Sequence, residues 1–225
     1  MARLRPVARA VLKRKAFQQP IKNNLCGKID RDHSTLKPVK DLIRILLRKE
    51  QDENCPYCQR LIFPERRNMT EHIEHYLDKS HAVYRKFGFT ATNLVLACAG
   101  CNFEKGTDDL VVPGKARPVH LSEAEAPFLW PHPYFDDMTA SVQMRPGPVY
   151  SAIPGSVREI EAKQMIVDLK LDTMQRTESR HGQLVSEREQ IYQEMDVLME
   201  ISTPESLARM KPLLARIKVI GSELS

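Results

Sequence analysis

Two cysteine knuckles constrain this chain more than any other feature. Cys55-Pro56-Tyr57-Cys58 and Cys98-Ala99-Gly100-Cys101 are separated by 39 residues between Cys58 and Cys98. Four thiolates satisfy the tetrahedral preference of zinc, so the spacing predicts a structural zinc that pins together the ends of an insert. Such a site keeps no open position, which makes it scaffolding rather than a reactive centre. A small core built on this staple would depend on the metal to fold. Five cysteines, four of them in CxxC pairs, suit a reducing compartment better than a disulfide framework. Cys26 is left without a partner.

The 225 residues suit one domain with an extension, or two small domains. No run of 18 apolar residues is present, so no membrane span is expected, and the cytoplasm is the expected compartment. The net charge of +5 is unevenly spread: residues 1–49 hold fourteen Lys and Arg against three Asp and Glu. That excess reads either as a basic arm for a phosphate backbone or as a solvated tail.

Four segments follow from the pattern: a basic arm over 1–37, a zinc-stapled core over 38–110, a Pro- and aromatic-rich wrap over 111–155, and a helical region over 156–225. Arg9 to Phe17 is predicted as a short basic helix. Pro38 opens an amphipathic helix to Gln51, with Val39, Leu42, Ile43, Leu46 and Leu47 at helical spacing. Strands are predicted at Met69–Tyr76 and Asn93–Ala97, a turn at Pro64, one helical turn at Ala82–Phe87, and a helix from Phe103 into Gly106. The fold class is therefore α+β.

Eight of the fifteen prolines fall between Gly106 and Gly155, among Phe128, Trp130, Tyr134 and Phe135. Core anchoring is the preferred role for these rings, with base stacking by Trp130 or Tyr134 as the alternative. A strand is predicted at Ala140–Met144. Further on, Ile160, Val167, Leu171 and Met174 line one helical face, and Leu184, Ile191, Met195 and Leu198 continue it. Gly182, about 1 kcal/mol worse than Ala inside a helix, predicts a break. Ser202 with Glu205 predicts a capping box. Leu207, Met210, Leu214 and Ile217 then define a last helix, kinked at Pro212. These helices read as a hairpin or coiled-coil arm.

The candidate chemistry lies between the knuckles. Glu74-His75 puts a hard oxygen ligand beside an imidazole suited to general-base work. Asn102 directly follows Cys101, and a carboxylate with an amide oxygen is a donor set Mg²⁺ accepts. Together they outline a one-metal phosphodiesterase. Glu71-His72 repeats the chemistry three residues earlier. Because residues three apart on a strand face opposite sides, His72 and His75 should not both enter one site; His75 is preferred, with His72 as the alternative base.

The combined pattern Cys-x-x-Cys, Glu74-His75-Tyr76, Asn93-Leu94, Cys98-x-x-Cys101-Asn102, Lys105 resembles the HNH nuclease family in its zinc-binding form, covering about 50 residues. The resemblance implies a ββα-metal core, which the helical spacing on either side flanks with an N-terminal helix and a C-terminal helical hairpin or coiled-coil region. It implies a metal-dependent endonuclease cutting DNA, of phage or plasmid origin, to leave 5′-phosphate and 3′-hydroxyl ends. His75 is then the general base, Asn93 holds the loop that orients it, and Glu74 and Asn102 bind the catalytic Mg²⁺ or Mn²⁺. Lys105 becomes a phosphate contact. Two positions depart from the family: Asn102 stands where many members have histidine, and Asp78 where many have proline.

The run Trp130-Pro131-His132-Pro133-Tyr134-Phe135-Asp136-Asp137, with Lys163 to Leu171 further on, resembles retron- and Septu-associated, PtuB-like bacterial defence nucleases. That implies an ATPase partner docked on the C-terminal helices, since the chain lacks a P-loop of its own. A non-catalytic zinc-ribbon module binding nucleic acid or protein, and a mobile-element HNH nuclease, are the competing readings.

Overall fold

Antiparallel pairing of two short strands sits at the centre. In this computed structural model, which describes residues 2–62, 69–122, 127–145 and 149–224 (the side chains of 145, 174–181 and 223–224 excepted), β1 is Glu71–His75 and β2 is Leu94–Cys98. Their register places Glu71 opposite Cys98 and His75 opposite Leu94. The predicted turn at Pro64 lies outside the described residues.

Both faces of this two-stranded sheet are covered by helices, so each face of β1 carries one buried carboxylate. Helix α3 spans Lys37–Glu50 after α1 (Arg9–Leu12) and α2 (Lys15–Leu25). From α3, Arg44 and Arg48 reach Glu71, Arg44 Nε lying 3.1 Å from the carboxylate. Val39, Ile43 and Leu47 of α3 are fully buried. Gln51 at its end donates 2.7 Å to the Leu96 carbonyl and accepts from the Leu96 N–H, fastening α3 to β2.

Helix α4, Ala99–Lys105, packs against both strands. It begins four residues before the predicted start because the second knuckle is itself the first helical turn: Cys98 Sγ accepts from the Cys101 N–H. Gly106, with φ +53°, ends it.

The basic arm is folded. Predicted as one helix over 9–17, it forms α1 and α2 with a break at residues 13–14, and Ala8, Val11 and Leu36 bury fully. Leu4 N–H donates to the Pro133 carbonyl at 2.9 Å and Arg5 pairs with Glu50 at 2.7 Å. The solvated-tail reading therefore gives way to a segment packed on the core.

The Pro-rich wrap is a core-builder. Trp130 is wholly buried, packs edge-on to Tyr57, and donates 2.7 Å to Asp168 of α5 (Glu159–Asp168). Tyr134 donates to the Leu94 carbonyl and Tyr150 to the Cys58 carbonyl, so the wrap braces β2 and the first knuckle. A second two-stranded sheet joins β3 (Val142–Arg145) and β4 (Val149–Ala152).

The chain divides into two compact units, Met1–Met144 with Tyr150–Leu171, and Arg145–Val149 with Asp172–Ser225. In the second, α6 (Leu171–Ile201) and α7 (Pro204–Leu224) pack Leu184, Ile191 and Met195 against Ile220, Met210, Leu213 and Ile217. Ion pairs Arg216–Glu187 and Arg209–Glu194 tie the same two helices.

Several helical expectations are corrected. The break falls at Lys170, with φ +51°, and α6 runs through Gly182; a cost of about 1 kcal/mol does not interrupt a long helix. Ile160 and Val167 are exposed, because α5 buries Ala162, Met165 and Ile166 instead. The cap on α7 is Thr203, whose hydroxyl and N–H exchange bonds with Ser206; Ser202, at φ +50°, closes the preceding helix. Helix α7 also carries Pro212 within its span, and Leu207 and Leu214 are exposed. Among the described residues no helix is long and apolar enough to cross a membrane.

Candidate metal centre and histidine cleft

The knuckles bring all four predicted cysteines together. The Sγ atoms of Cys55, Cys58, Cys98 and Cys101 lie within 4.8 Å of one another. The Cys58–Cys98 separation is 3.8 Å, close to the edge of about 3.8 Å for a tetrahedron with metal–sulfur bonds of about 2.3 Å. Three of the cysteines are buried and Cys98 half-buried. Hydrogen bonds from Cys101, then Cys55 and Cys58, hold the Cys98 thiol far below its ordinary pKa, while burial pushes Cys55 up. Four thiols clustered this closely form a group that could hold a metal ion.

β1 then separates Glu74 from His75. Glu74 faces α4, almost fully buried, with Oε1 2.7 Å from the Lys105 ammonium and Oε2 accepting 2.8 Å from the Tyr57 hydroxyl. His75 faces the other way, into a cleft of about 220 Å³. The cleft is bounded by α3, the segment before it, and the loop after β1, which contribute Arg31, Lys40, Arg44 and Lys79.

The His75 ring is held by backbone. Its Nε2 lies 3.0 Å from the Gly88 carbonyl oxygen, which can only accept, so Nε2 carries the proton and Nδ1 keeps its lone pair. Burial, with Lys79 close by, pushes its pKa down to about 3, so the ring is a neutral imidazole. The carbonyl that fixes it belongs to a loop clamped by Asn93, which is wholly buried. Asn93 Oδ1 accepts from Leu77 N–H at 2.8 Å, and Nδ2 donates to the carbonyls of Leu77 and Phe87.

The remaining predicted residues fall as follows. His72 is exposed yet lines the same cleft as His75. Two residues three apart on β1 thus border one cleft, which corrects the expectation that only one of them would reach it. Lys105 is fully buried and bonds Glu74 and the His75 carbonyl (3.0 Å); its charge is directed inward, which corrects the phosphate-contact expectation. Asn102 is half-exposed on α4, one turn before Lys105, and among the described residues its amide makes no side-chain hydrogen bond. Asp78 Oδ1 accepts from Ser80 N–H, an Asx turn.

Sequence reasoning missed Tyr57, Gly88 and the cations of residues 31–44. Tyr57 inside a CxxC knuckle could have been found as a buried donor; Gly88 acts only through its carbonyl and leaves no side-chain signal. Comparison with protein-family models, with curated proteins and with solved structures gives no match.

Proposed function

We propose that this chain is an endonuclease of the HNH type, hydrolysing DNA phosphodiester bonds with His75 as general base. One observation carries the reading: a neutral imidazole, its tautomer set by the Gly88 carbonyl so that Nδ1 keeps its lone pair, lines a cleft that also holds four cations and one carboxylate, Asp32. The consecutive order β1, β2, α4, stapled at both ends by four cysteines, supports it. Zinc is the metal we assign to the cysteines, on donor type and the 3.8 Å spacing.

In the reaction, a phosphate bound beside Lys79 offsets part of what holds the His75 pKa down at about 3, and Nδ1 takes a proton from water as the oxygen bonds to phosphorus. The bond from phosphorus to the 3′ oxygen breaks, and that oxygen acquires a proton from solvent. Arg31, Lys40 and Lys79 neutralise the phosphate. The ring stays aligned through Gly88 because Asn93 fixes the loop.

Mg²⁺ or Mn²⁺, implied by the resemblance, would supply charge stabilisation of the leaving oxygen when bound. Glu74 as arranged does not fit a hard divalent cation, because an ammonium and a phenol already occupy its two oxygens. A Glu74–Asn102 site therefore requires Lys105 to withdraw, and no step above runs through it. That same buried pair favours a second reading, a non-catalytic zinc-ribbon module that binds nucleic acid. The defence role belongs to the proposal too, with an ATPase partner on α6 and α7, where Val197, Ile201 and Leu207 are exposed.

The test is incubation of supercoiled plasmid with the purified chain, with Mg²⁺, with Mn²⁺, and with no added metal. Nicking with an added metal is the expected result. Intact plasmid under every condition, with plasmid still bound, would establish the binding module instead.

A further inference from the structure

The cleft at His75 continues along the surface. Phe89, half-buried, lines both it and a second cleft of about 340 Å³ that holds Arg9 and Lys13. Arg9 and Thr92 in turn line that cleft and a third of about 410 Å³, which reaches Arg3, Arg5 and Tyr134. The three clefts share wall residues in pairs and so follow one another along residues 89–92, a succession we read as one groove.

Its lining is one-sided in charge. Eight Lys and Arg side chains border the groove against a single carboxylate, Asp32. Arg5 and Arg44 are paired outside it, with Glu50 and Glu71, and Arg31 and Lys40 share Asp32. Arg9, Lys13 and Lys79 make no ion pair among the described residues. Lys79 is crowded further: burial, then the nearby Arg31 and Lys40, holds its pKa below the ordinary lysine value. Uncompensated cations in a row, with an aromatic ring at the junction and a base at one end, match a chain of regularly spaced anions that carries rings.

We propose that one nucleic-acid backbone lies in this groove, running from α1 past Phe89 to His75, with phosphates against Arg9, Lys13 and Lys79. What happens at His75 rests on the proposed nuclease function; the binding does not. The N-terminal helices thereby become part of the substrate track.

The experiment is fluorescence anisotropy on the full chain carrying His75→Ala, without added divalent cations, over a range of salt. Labelled single-stranded and duplex oligonucleotides of one sequence are compared. Arg9→Ala with Lys13→Ala should weaken binding and lower the slope of log K against log salt by about two. Lys115→Ala with Lys211→Ala removes the same charge at exposed sites off the groove and should leave the slope unchanged. Phe89→Ala weakening the single strand alone assigns an unpaired strand; equal duplex binding, indifferent to Phe89, assigns one backbone of a duplex. Equal slopes for the two double variants, or no binding at all, would overturn the groove. With His75 restored, plasmid nicking by the parent chain alongside equal slopes sinks the groove alone, whereas variant-sensitive binding with no nicking by the parent chain sinks the nuclease reading alone.

Discussion

Replacing Lys105 with methionine separates a buried clamp from a surface phosphate contact. The ammonium is fully buried, 2.7 Å from Glu74 and 3.0 Å from the His75 carbonyl. Lys105→Met keeps the chain length but leaves a buried carboxylate with the Tyr57 hydroxyl as its remaining partner. Breaking one side of a buried pair costs about 3–5 kcal/mol, and the orphaned carbonyl adds about 1 kcal/mol. In a unit of this size each kcal/mol moves the midpoint by about 2–4 °C, so a fall of about 8–24 °C is expected. Trp130, the chain's single tryptophan, is buried in the same unit and reports its unfolding by fluorescence. Adding Glu74→Gln to Lys105→Met should restore most of the loss, because the uncompensated charge is gone. A midpoint within about 2 °C of the parent for Lys105→Met alone would refute the placement, since exposed lysines cost within about 0.5 kcal/mol.

Other outcomes follow from the same geometry. Cys58→Ser should lower bound zinc, measured by elemental analysis, from one per chain to near none, and destabilise the unit containing Trp130. Asn93→Ala removes three buried hydrogen bonds and should cost about 2–4 kcal/mol, with faster amide exchange across residues 76–88. His132, wholly buried and stacked 4.0 Å from Phe135, has its pKa held well below the ordinary value by burial, then by Arg158 and Arg3. The unfolded chain therefore binds the extra proton, so stability falls as pH drops below about 6.5. Denaturant melts at pH 5 and 7.5 should show this difference shrink in His132→Phe.

Much of the core was legible because its signals are local. The apolar spacing of Val39, Ile43 and Leu47 marks α3, and Leu94 to Ala97 marks β2. The four cysteines announce their cluster by spacing alone. What stayed hidden is relational. Alternation puts Glu74 and His75 on opposite faces, but only the packing of α3 and α4 on those faces decides which residue is closed in and which opens to a cleft. Lys105 reads as a surface cation until Glu74 is found beneath it. Helix phase was the weakest point: Ile160 and Val167 carry the right spacing, yet Met165 and Ile166 are the side chains that bury. The cations at Arg31 and Lys40 belong to no motif, and the fold alone brings them to His75.

The most direct measurement is plasmid cleavage by His75→Ala beside His72→Ala, each with Mg²⁺ or Mn²⁺ and each checked for its Trp130 melt. Both histidines line the cleft, but His75 is the one whose ring is held by the Gly88 carbonyl. His75→Ala should abolish nicking and His72→Ala should retain it. Nicking that survives in His75→Ala and is lost in His72→Ala would contradict it.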